Sequence, residues 1–278
     1  MGQNALYTMG DCFLQTNQKD KARSAFQSAA SMSFDETIKQ NALFSYGRIT
    51  FDLGFAAEAI NSFESYLSQF PSGSNAEEAN ELMVAALVQT KNYERAYRII
   101  EGLKTESPLL RETYQKVTYF RAIELFNDKK MDEAFELCNK SLSSVMNIEL
   151  QALAFYLKAE IFYAQEKFED AALNYSRFVQ YTNTALEKKG EASKFRADYS
   201  TGYCYFKRKN YSDAALYFES ALKDAEATVD VRGKNALLPD LYLRYADCEF
   251  VQKNYSKALP AYEKIVSMKW NSAEYAQY

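Results

Sequence analysis

Leu43-Phe44-Ser45-Tyr46-Gly47, followed by Ala59-Ile60-Asn61-Ser62-Phe63 and then by Phe70-Pro71, decides the fold of this chain. A small residue, an alanine twelve positions on, a ring four positions later and a proline beyond it describe two helices folded against each other. The small residue leaves a notch in the first helix, the alanine lets the second helix come close, and the ring one turn later fills the space beside it. The pattern recurs. Alanines opening a helical stretch stand at Ala22, Ala59, Ala96, Ala134, Ala171, Ala214 and Ala258, at intervals of 37, 37, 38, 37, 43 and 44 residues. Four residues after each comes Phe26, Phe63, Ile100, Cys138, Tyr175, Phe218 or Tyr262, and twelve before stand Gly10, Gly47, Val84, Ala122, Ala159, Gly202 and Ala246. Pro71 and Pro108 each lie twelve residues after their alanine. A period of this length marks stacked repeats, each burying an apolar face that it cannot bury alone.

Composition agrees with helices and excludes several chemistries. Only 9 of 278 residues are glycine and 4 proline, too few turn formers for an all-β fold. The net charge of −4 lacks the basic field of a nucleic-acid binder, and Lys188-Lys189 and Lys207-Arg208-Lys209 read as solvated turns; no nucleic-acid partner is expected. With no histidine, Ser-His and Cys-His pairs and imidazole metal sites are excluded. Cys12, Cys138, Cys204 and Cys248 form no C-x-x-C pair. Three of them, Cys12, Cys204 and Cys248, share one place beside the notch, where a small buried side chain is wanted. Asp132-Glu133 and Glu169-Asp170 open second helices and complement their dipoles, and no phosphate-binding glycine loop is present. No catalytic residue, metal or cofactor is expected. No apolar run reaches the roughly 18 residues of a membrane helix. Met1-Gly2-Gln3-Asn4-Ala5 runs straight into a helical pattern, and Asn271–Tyr278 reads as the first turns of another helix, so a fragment of a longer protein is expected.

The order small residue, A-x3-F, then P resembles the tetratricopeptide repeat (TPR). The first unit carries it as Leu6, Met9, Gly10, Phe13, Ala22, Phe26 and Ala29, the second as Leu43, Gly47, Ala59, Phe63 and Pro71, and Lys-Asn-Tyr leads into second helices at 91–93, 209–211 and 253–255. The resemblance implies an all-α, right-handed α-solenoid, a single array over 1–278. Its seven units fall near 3–36, 40–73, 77–110, 115–148, 152–188, 195–232 and 239–271, with 272–278 starting an eighth. The family's first-helix tryptophan is absent; Trp270, the one tryptophan, falls between units. Ser33-x-x-Glu36, Ser74-x-x-Glu77 and Asn271-x-x-Glu274 resemble capping boxes, and Ser107-Pro108 puts proline at a first helical position. Pro260, a turn into the last second helix, is expected to distort its start. The two longest intervals place extra residues around Gln180–Lys194 and Lys223–Asp240, where longer helices or ordered loops are expected.

In a TPR array the first helices line the concave face. Carried onto this chain, that gives one row of rings at Tyr7, Phe44, Tyr119, Tyr156 and Tyr199 and another at Phe51, Phe126, Tyr163, Phe206 and Phe250, with Tyr203 beside them. Asp11, Arg48, Asn127, Glu160, Arg196, Lys207 and Asp247 lie between the rows. Two readings are open for each ring: a wall of a peptide-binding groove, where tyrosine and arginine supply contact area at low entropy cost, or core packing between repeats. The lysine and asparagine clamp by which some TPR domains hold a C-terminal carboxylate is not matched, since Tyr7, Asp11, Phe44 and Arg48 occupy its places.

Phe70-Pro71-Ser72-Gly73-Ser74 with Ala76-Glu77-Glu78-Ala79 resembles a joint of bacterial envelope TPR proteins, which implies the periplasm or cell envelope, with the cytoplasm as the alternative. The function expected is a non-catalytic scaffold holding a peptide or protein on the concave face. The alternatives are a glycan- or small-ligand-binding TPR lipoprotein, or the regulatory arm of a larger enzyme or transcription regulator. Bare apolar end faces also lead us to expect end-to-end self-association.

Overall fold

A computed structural model describes residues 2–103, 107–181, 192–227 and 234–268. Among these there are fourteen helices and no strand. They run α1 (Gly2–Gln15), α2 (Lys19–Ala30), α3 (Glu36–Asp52), α4 (Ala56–Gln69), α5 (Ala76–Gln89), α6 (Tyr93–Gly102) and α7 (Pro108–Asn127). Then follow α8 (Met131–Ser143), α9 (Ile148–Ala164), α10 (Phe168–Tyr181), α11 (Lys194–Lys207), α12 (Tyr211–Ala227), α13 (Lys234–Val251) and α14 (Tyr255–Ser267). Taken in order they pair into seven hairpins, and the protein is an all-α repeat array of the α-solenoid class.

One turn geometry makes every hairpin. Asn17, Gly54, Lys91, Lys129, Glu166, Lys209 and Lys253 all have φ between 55 and 85°. Each donates its N–H to the carbonyl three residues back, and the next residue donates to the carbonyl five back, at 2.8–3.1 Å. This is the Schellman arrangement, which satisfies carbonyls that the end of a helix leaves without partners. The carbonyl of that next residue then accepts the N–H of the repeat alanine, from Ala22 to Ala258, at 3.0–3.1 Å. A single residue thus closes one helix and opens the next. In Lys-Asn-Tyr the lysine takes the left-handed position, the asparagine is the cap, and the tyrosine is the first helical residue. Asn92 and Asn210 add a side-chain bond from the N–H of Arg95 (3.4 Å) and Asp213 (3.3 Å).

The notch is filled by the ring. A methyl group on Gly10 would come within 2.7 Å of Phe26, one on Gly47 within 2.9 Å of Phe63 and one on Gly202 within 2.5 Å of Phe218. All three rings are fully buried, as are the repeat alanines. Close packing at this density leaves the rings no room to yield.

The described helices divide into two compact units, Met1–Arg121 and Ala122–Tyr278, with the division inside α7. In the first unit Ile60 and Phe63 of α4, Met83 and Leu87 of α5 and Ile100 of α6 form one core with Leu110 and Val117 of α7. In the second, Ala171, Tyr175 and Phe178 pack with Ala197 and Cys204, while Phe218 and Leu222 pack with Leu241 and Cys248. Burying each large side chain of this kind stabilises the fold by about 1.5–3 kcal/mol.

The connections show where local sequence signals mislead. The cap of α3 is Asp35, not Ser33: its backbone is extended and its carboxylate accepts the N–H groups of Thr37 (2.9 Å) and Ile38 (3.1 Å). The residue capping α5 is Asn75, not Ser74, and it makes no side-chain cap bond. Ser107 does cap α7, accepting the N–H of Leu110 at 3.1 Å ahead of Pro108. Asn271 lies outside the described residues. The helix α14 runs through Pro260 with its first turn tightened, as Lys257 and Ala258 both donate to the Asn254 carbonyl. Pro239 is likewise inside α13. Of the two longer intervals, α12 takes up part of one by running 17 residues; residues 182–191 and 228–233 lie outside the described set.

Candidate partner-binding face

The first-helix rings of the second unit rest on the notch rings of their own hairpins. Tyr156 of α9 meets Tyr175 edge-on (centroids 5.5 Å) and Phe178 (5.0 Å). Tyr199 and Tyr203 of α11 both lean on Phe218, at 6.3 and 5.6 Å, and on each other at 5.1 Å. The second row contacts the start of the second helix: Tyr163 on Phe168 (5.5 Å), Phe206 on Tyr211 (5.6 Å) and Phe250 on Tyr255 (5.5 Å). Tyr156, Tyr163, Tyr199, Tyr203 and Phe206 remain half-buried, and Phe250 is 55% exposed. Phe126 is half-buried, and Asn127 and Lys207 are exposed.

Polar groups bind these rings into a fixed arrangement across α11, α13 and α14. The hydroxyls of Tyr199 (2.8 Å) and Tyr203 both donate to Asp240 Oδ2. Arg244 donates through Nε to the Tyr203 oxygen (3.3 Å) and to Asp240 Oδ1 (3.4 Å), and through Nη1 to Asp247 Oδ2 (2.9 Å). Its guanidinium lies 5.6 Å from the centre of the Phe206 ring. The Tyr262 hydroxyl completes the chain at Asp247 Oδ1, 2.9 Å away. Burial, with the Asp240 carboxylate close by, raises the Tyr203 hydroxyl to about 12 and Tyr199 further still, so both stay protonated donors. Burial also raises Asp247 against the pull of Tyr262 and Arg244.

Glu160 of α9 occupies the place that Asp247 has on α13, one residue beyond the notch alanine. It accepts the Tyr175 hydroxyl at 2.6 Å, and desolvation by burial raises its carboxyl above the ordinary range. Arg196 is half-buried beside this group, and its charge acts to lower the Glu160 carboxyl. Sequence reasoning did not single out Asp240 and Arg244 as site residues, and it read Tyr175 and Tyr262 only as ring positions of the repeat. The signal for the last two was present, since a tyrosine rather than phenylalanine fills the ring position only where an acid follows the notch.

The first unit is more closed. Phe44 is buried at 6%, packed on Phe63 (6.4 Å) and Tyr66 (5.8 Å), and Tyr119 is buried at 7%. Tyr7 is half-buried, edge-on to Phe26 at 5.4 Å. Phe51 lies partly buried against the core, while the exposed Arg48 pairs with Glu78 at 3.3 Å. Among the described residues no group of three or more Cys, Asp and Glu side chains is placed to hold a metal ion, and no helix is long and apolar enough to cross a membrane.

Hairpins closed by one repeated turn, with first helices presenting rings and fixed polar groups, define a helical-repeat protein. By sequence, the chain belongs to the tetratricopeptide repeat family: models of that repeat match residues 156–230 and 218–273, and a further one matches 4–31. No curated protein matches it in sequence. Among solved structures it is similar to the C-terminal part of a TPR repeat-containing protein from Cytophaga hutchinsonii, with 11% identity, 98% of this chain and 99% of that one covered and a TM-score of 0.57. It is also similar to BtubC from P. vanneervenii, with 16% identity, coverage of 78% and 89%, and a TM-score of 0.51. At such identities the likeness is one of fold.

Proposed function

We propose that the protein is a non-catalytic interaction scaffold and that the first-helix face of its second unit holds a peptide or protein segment. The observation that carries this is the state of the rings on α9, α11 and α13. They are held by other rings and, at Tyr199 and Tyr203, by the Asp240–Arg244–Asp247 chain, yet stay half-buried or, at Phe250, exposed. Rings held this way lose little entropy on binding; tyrosine and arginine are side chains on which binding energy concentrates, and phenylalanine is enriched in interface cores. Tyr163, Phe206, Lys207 and Phe250 form the accessible part, with Glu160, Arg196, Tyr199 and Tyr203 behind them. In the first unit Tyr7, Arg48 and Phe51 extend the same proposal, whereas Phe44 and Tyr119 act there as core. A bacterial envelope setting belongs to this proposal through the joint at Phe70-Pro71.

The test uses substitutions that the fold tolerates. Tyr199 and Tyr203 brace Phe218 and hold Asp240, so removing them would damage the hairpin itself. Lys207 and Phe250 are exposed and remove only surface. Affinity capture with the full chain should yield a partner that Lys207→Glu/Phe250→Ala loses and that Leu216→Glu, on the exposed side of α12, retains. Capture of the same partner in the same yield by the double variant overturns the assignment.

A further inference from the structure

The second unit holds a polar cluster that the partner-binding face does not use. Phe155, Lys158 and Phe162 follow one another at helical spacing on α9, on a different face from Tyr156, Glu160 and Tyr163. Asp170, Asn174 and Arg177 share a face of α10 in the same way. The charges of Asp170 and Arg177 both act on Lys158, and the Arg177 guanidinium lies 5.6 Å from the centre of the Phe155 ring, so the two faces meet. From α8, Asn139 Oδ1 accepts a hydrogen bond from Lys158 Nζ at 2.8 Å, and the Phe135 ring centre lies 4.8 Å from that nitrogen. Phe135 and Phe162 meet edge-on at 5.3 Å, and both are half-buried.

Two features of this cluster are left unmatched by the protein. Lys158 is half-buried and Arg177 exposed, and neither has a carboxylate within ion-pair distance among the described residues. Arg23, Arg208 and Arg244 also lie on rings, and each bonds a carboxylate: Glu58, Glu169, and Asp240 with Asp247. Burial and then the Arg177 charge push the Lys158 amine down, against weaker pulls from Cys138, Asp170 and Glu136. Asp170 and Glu136 are both exposed. The second feature is Asn174, which is buried. Its Nδ2 donates to the Asp170 carbonyl at 2.8 Å, but its Oδ1 accepts from no group among the described residues. A buried acceptor without a donor is costly, and a hydroxyl on a ligand can supply the hydrogen.

We propose that α8, α9 and α10 form a binding site for a small organic anion, a carboxylate or a phosphate ester, held by Lys158 and Arg177 with its apolar body against Phe135 and Phe162. The guanidinium brings paired N–H groups that suit the oxygens of either anion, and Lys158 brings a point charge that Asn139 already holds in place. A negative group here relieves the repulsion between the two cations and returns part of the cost of desolvating Lys158. The site lies outside the partner-binding face, so the scaffold reading stands whether or not the anion binds.

Calorimetric titration of the full chain with mandelate, phenyl phosphate and the neutral mandelamide tests the proposal. The better of the two anions should bind one-to-one with a Kd of about 1 mM or below, and about tenfold more tightly than mandelamide. Which anion is the better one tells carboxylate from phosphate. Arg177→Gln and Lys158→Gln should each weaken binding about tenfold, and Lys116→Gln, an exposed lysine of the first unit, should leave it unchanged. Arg177→Gln, at an exposed position, keeps the thermal transition of the parent and decides the matter even if Lys158→Gln disturbs the fold. No binding of either anion at about 10 mM, mandelamide binding as tightly as the anions, or undiminished binding by Arg177→Gln would each overturn the proposal.

Discussion

Gly202 and Phe218 show how much of this fold is decided by single pairs. Glycine at the notch is always matched by phenylalanine: Gly10 with Phe26, Gly47 with Phe63, Gly202 with Phe218. Where the notch is alanine the partner is Cys138 or a tyrosine, and each tyrosine finds a carboxylate, Glu160 or Asp247. These acids carry a pH signature. Burial raises the folded-state Glu160 above its unfolded value, so the folded chain binds that proton more tightly. The charged form therefore destabilises at neutral pH, and stability is recovered as pH falls through the folded value toward the unfolded one. Glu160→Gln keeps an acceptor for Tyr175 and removes the titration. Denaturation of the two proteins from pH 7 to about pH 4 should show the parent gaining on the variant as pH falls; a difference independent of pH would contradict it. The notch pairs were legible in the sequence because their spacing is fixed. Gln3 was not. It is buried, and its amide ties down the loop before α3 through Met32 O (2.9 Å), Asp35 O (3.2 Å) and Asp35 N (2.9 Å). Nothing local to Gln3 announces a partner about thirty residues away.

Sequence reasoning placed a turn at Lys207-Arg208-Lys209 and a lead-in at Lys-Asn-Tyr but missed the left-handed geometry of the hairpin turn. Its left-handed residue keeps the same period as the repeat alanine, five positions before it, yet only Gly54 is a glycine. Lysine at Lys91, Lys129, Lys209 and Lys253 conceals the turn from any search for glycine, because the Schellman bonds hold the residue there in spite of its side chain. A left-handed conformation costs a residue with a Cβ about 1–2 kcal/mol. Lys209→Gly should therefore stabilise the chain, by an amount that the greater freedom of glycine in the unfolded chain reduces to roughly 0.5–1 kcal/mol. Chemical denaturation measures it; a loss of stability would mean that the Lys209 side chain contributes something the turn geometry does not show. Helix ends were read less well than helix pairs. Asp35 and Ser33 are both good caps by type, and only the extended backbone at Asp35 selects between them. The rings were visible as rows, but their partition between core and surface was not. Phe44 and Phe250 are both phenylalanines on first helices, and one is buried while the other is open because different neighbours cover them.

Across the whole molecule, one interlock serves hairpins in both units. The hairpins with a notch glycine bury a phenylalanine ring in their own notch, and stability in such arrays is close to a sum over repeats and their interfaces. Damage to a notch should therefore register wherever in the chain it is made, and a glycine outside a notch should be indifferent. The direct test is chemical denaturation of Gly10→Ala, Gly47→Ala, Gly202→Ala and Gly102→Ala beside the parent. A methyl group on Gly102 meets nothing within 4 Å, whereas the other three meet buried rings at 2.5–2.9 Å. The three notch variants are predicted to lose roughly 1–3 kcal/mol each, the size of an overpacked core, and Gly102→Ala to stay within about 0.5 kcal/mol of the parent or above it. Four variants of equal stability, or a loss confined to Gly102→Ala, would contradict the interlock on which the fold and its binding face depend.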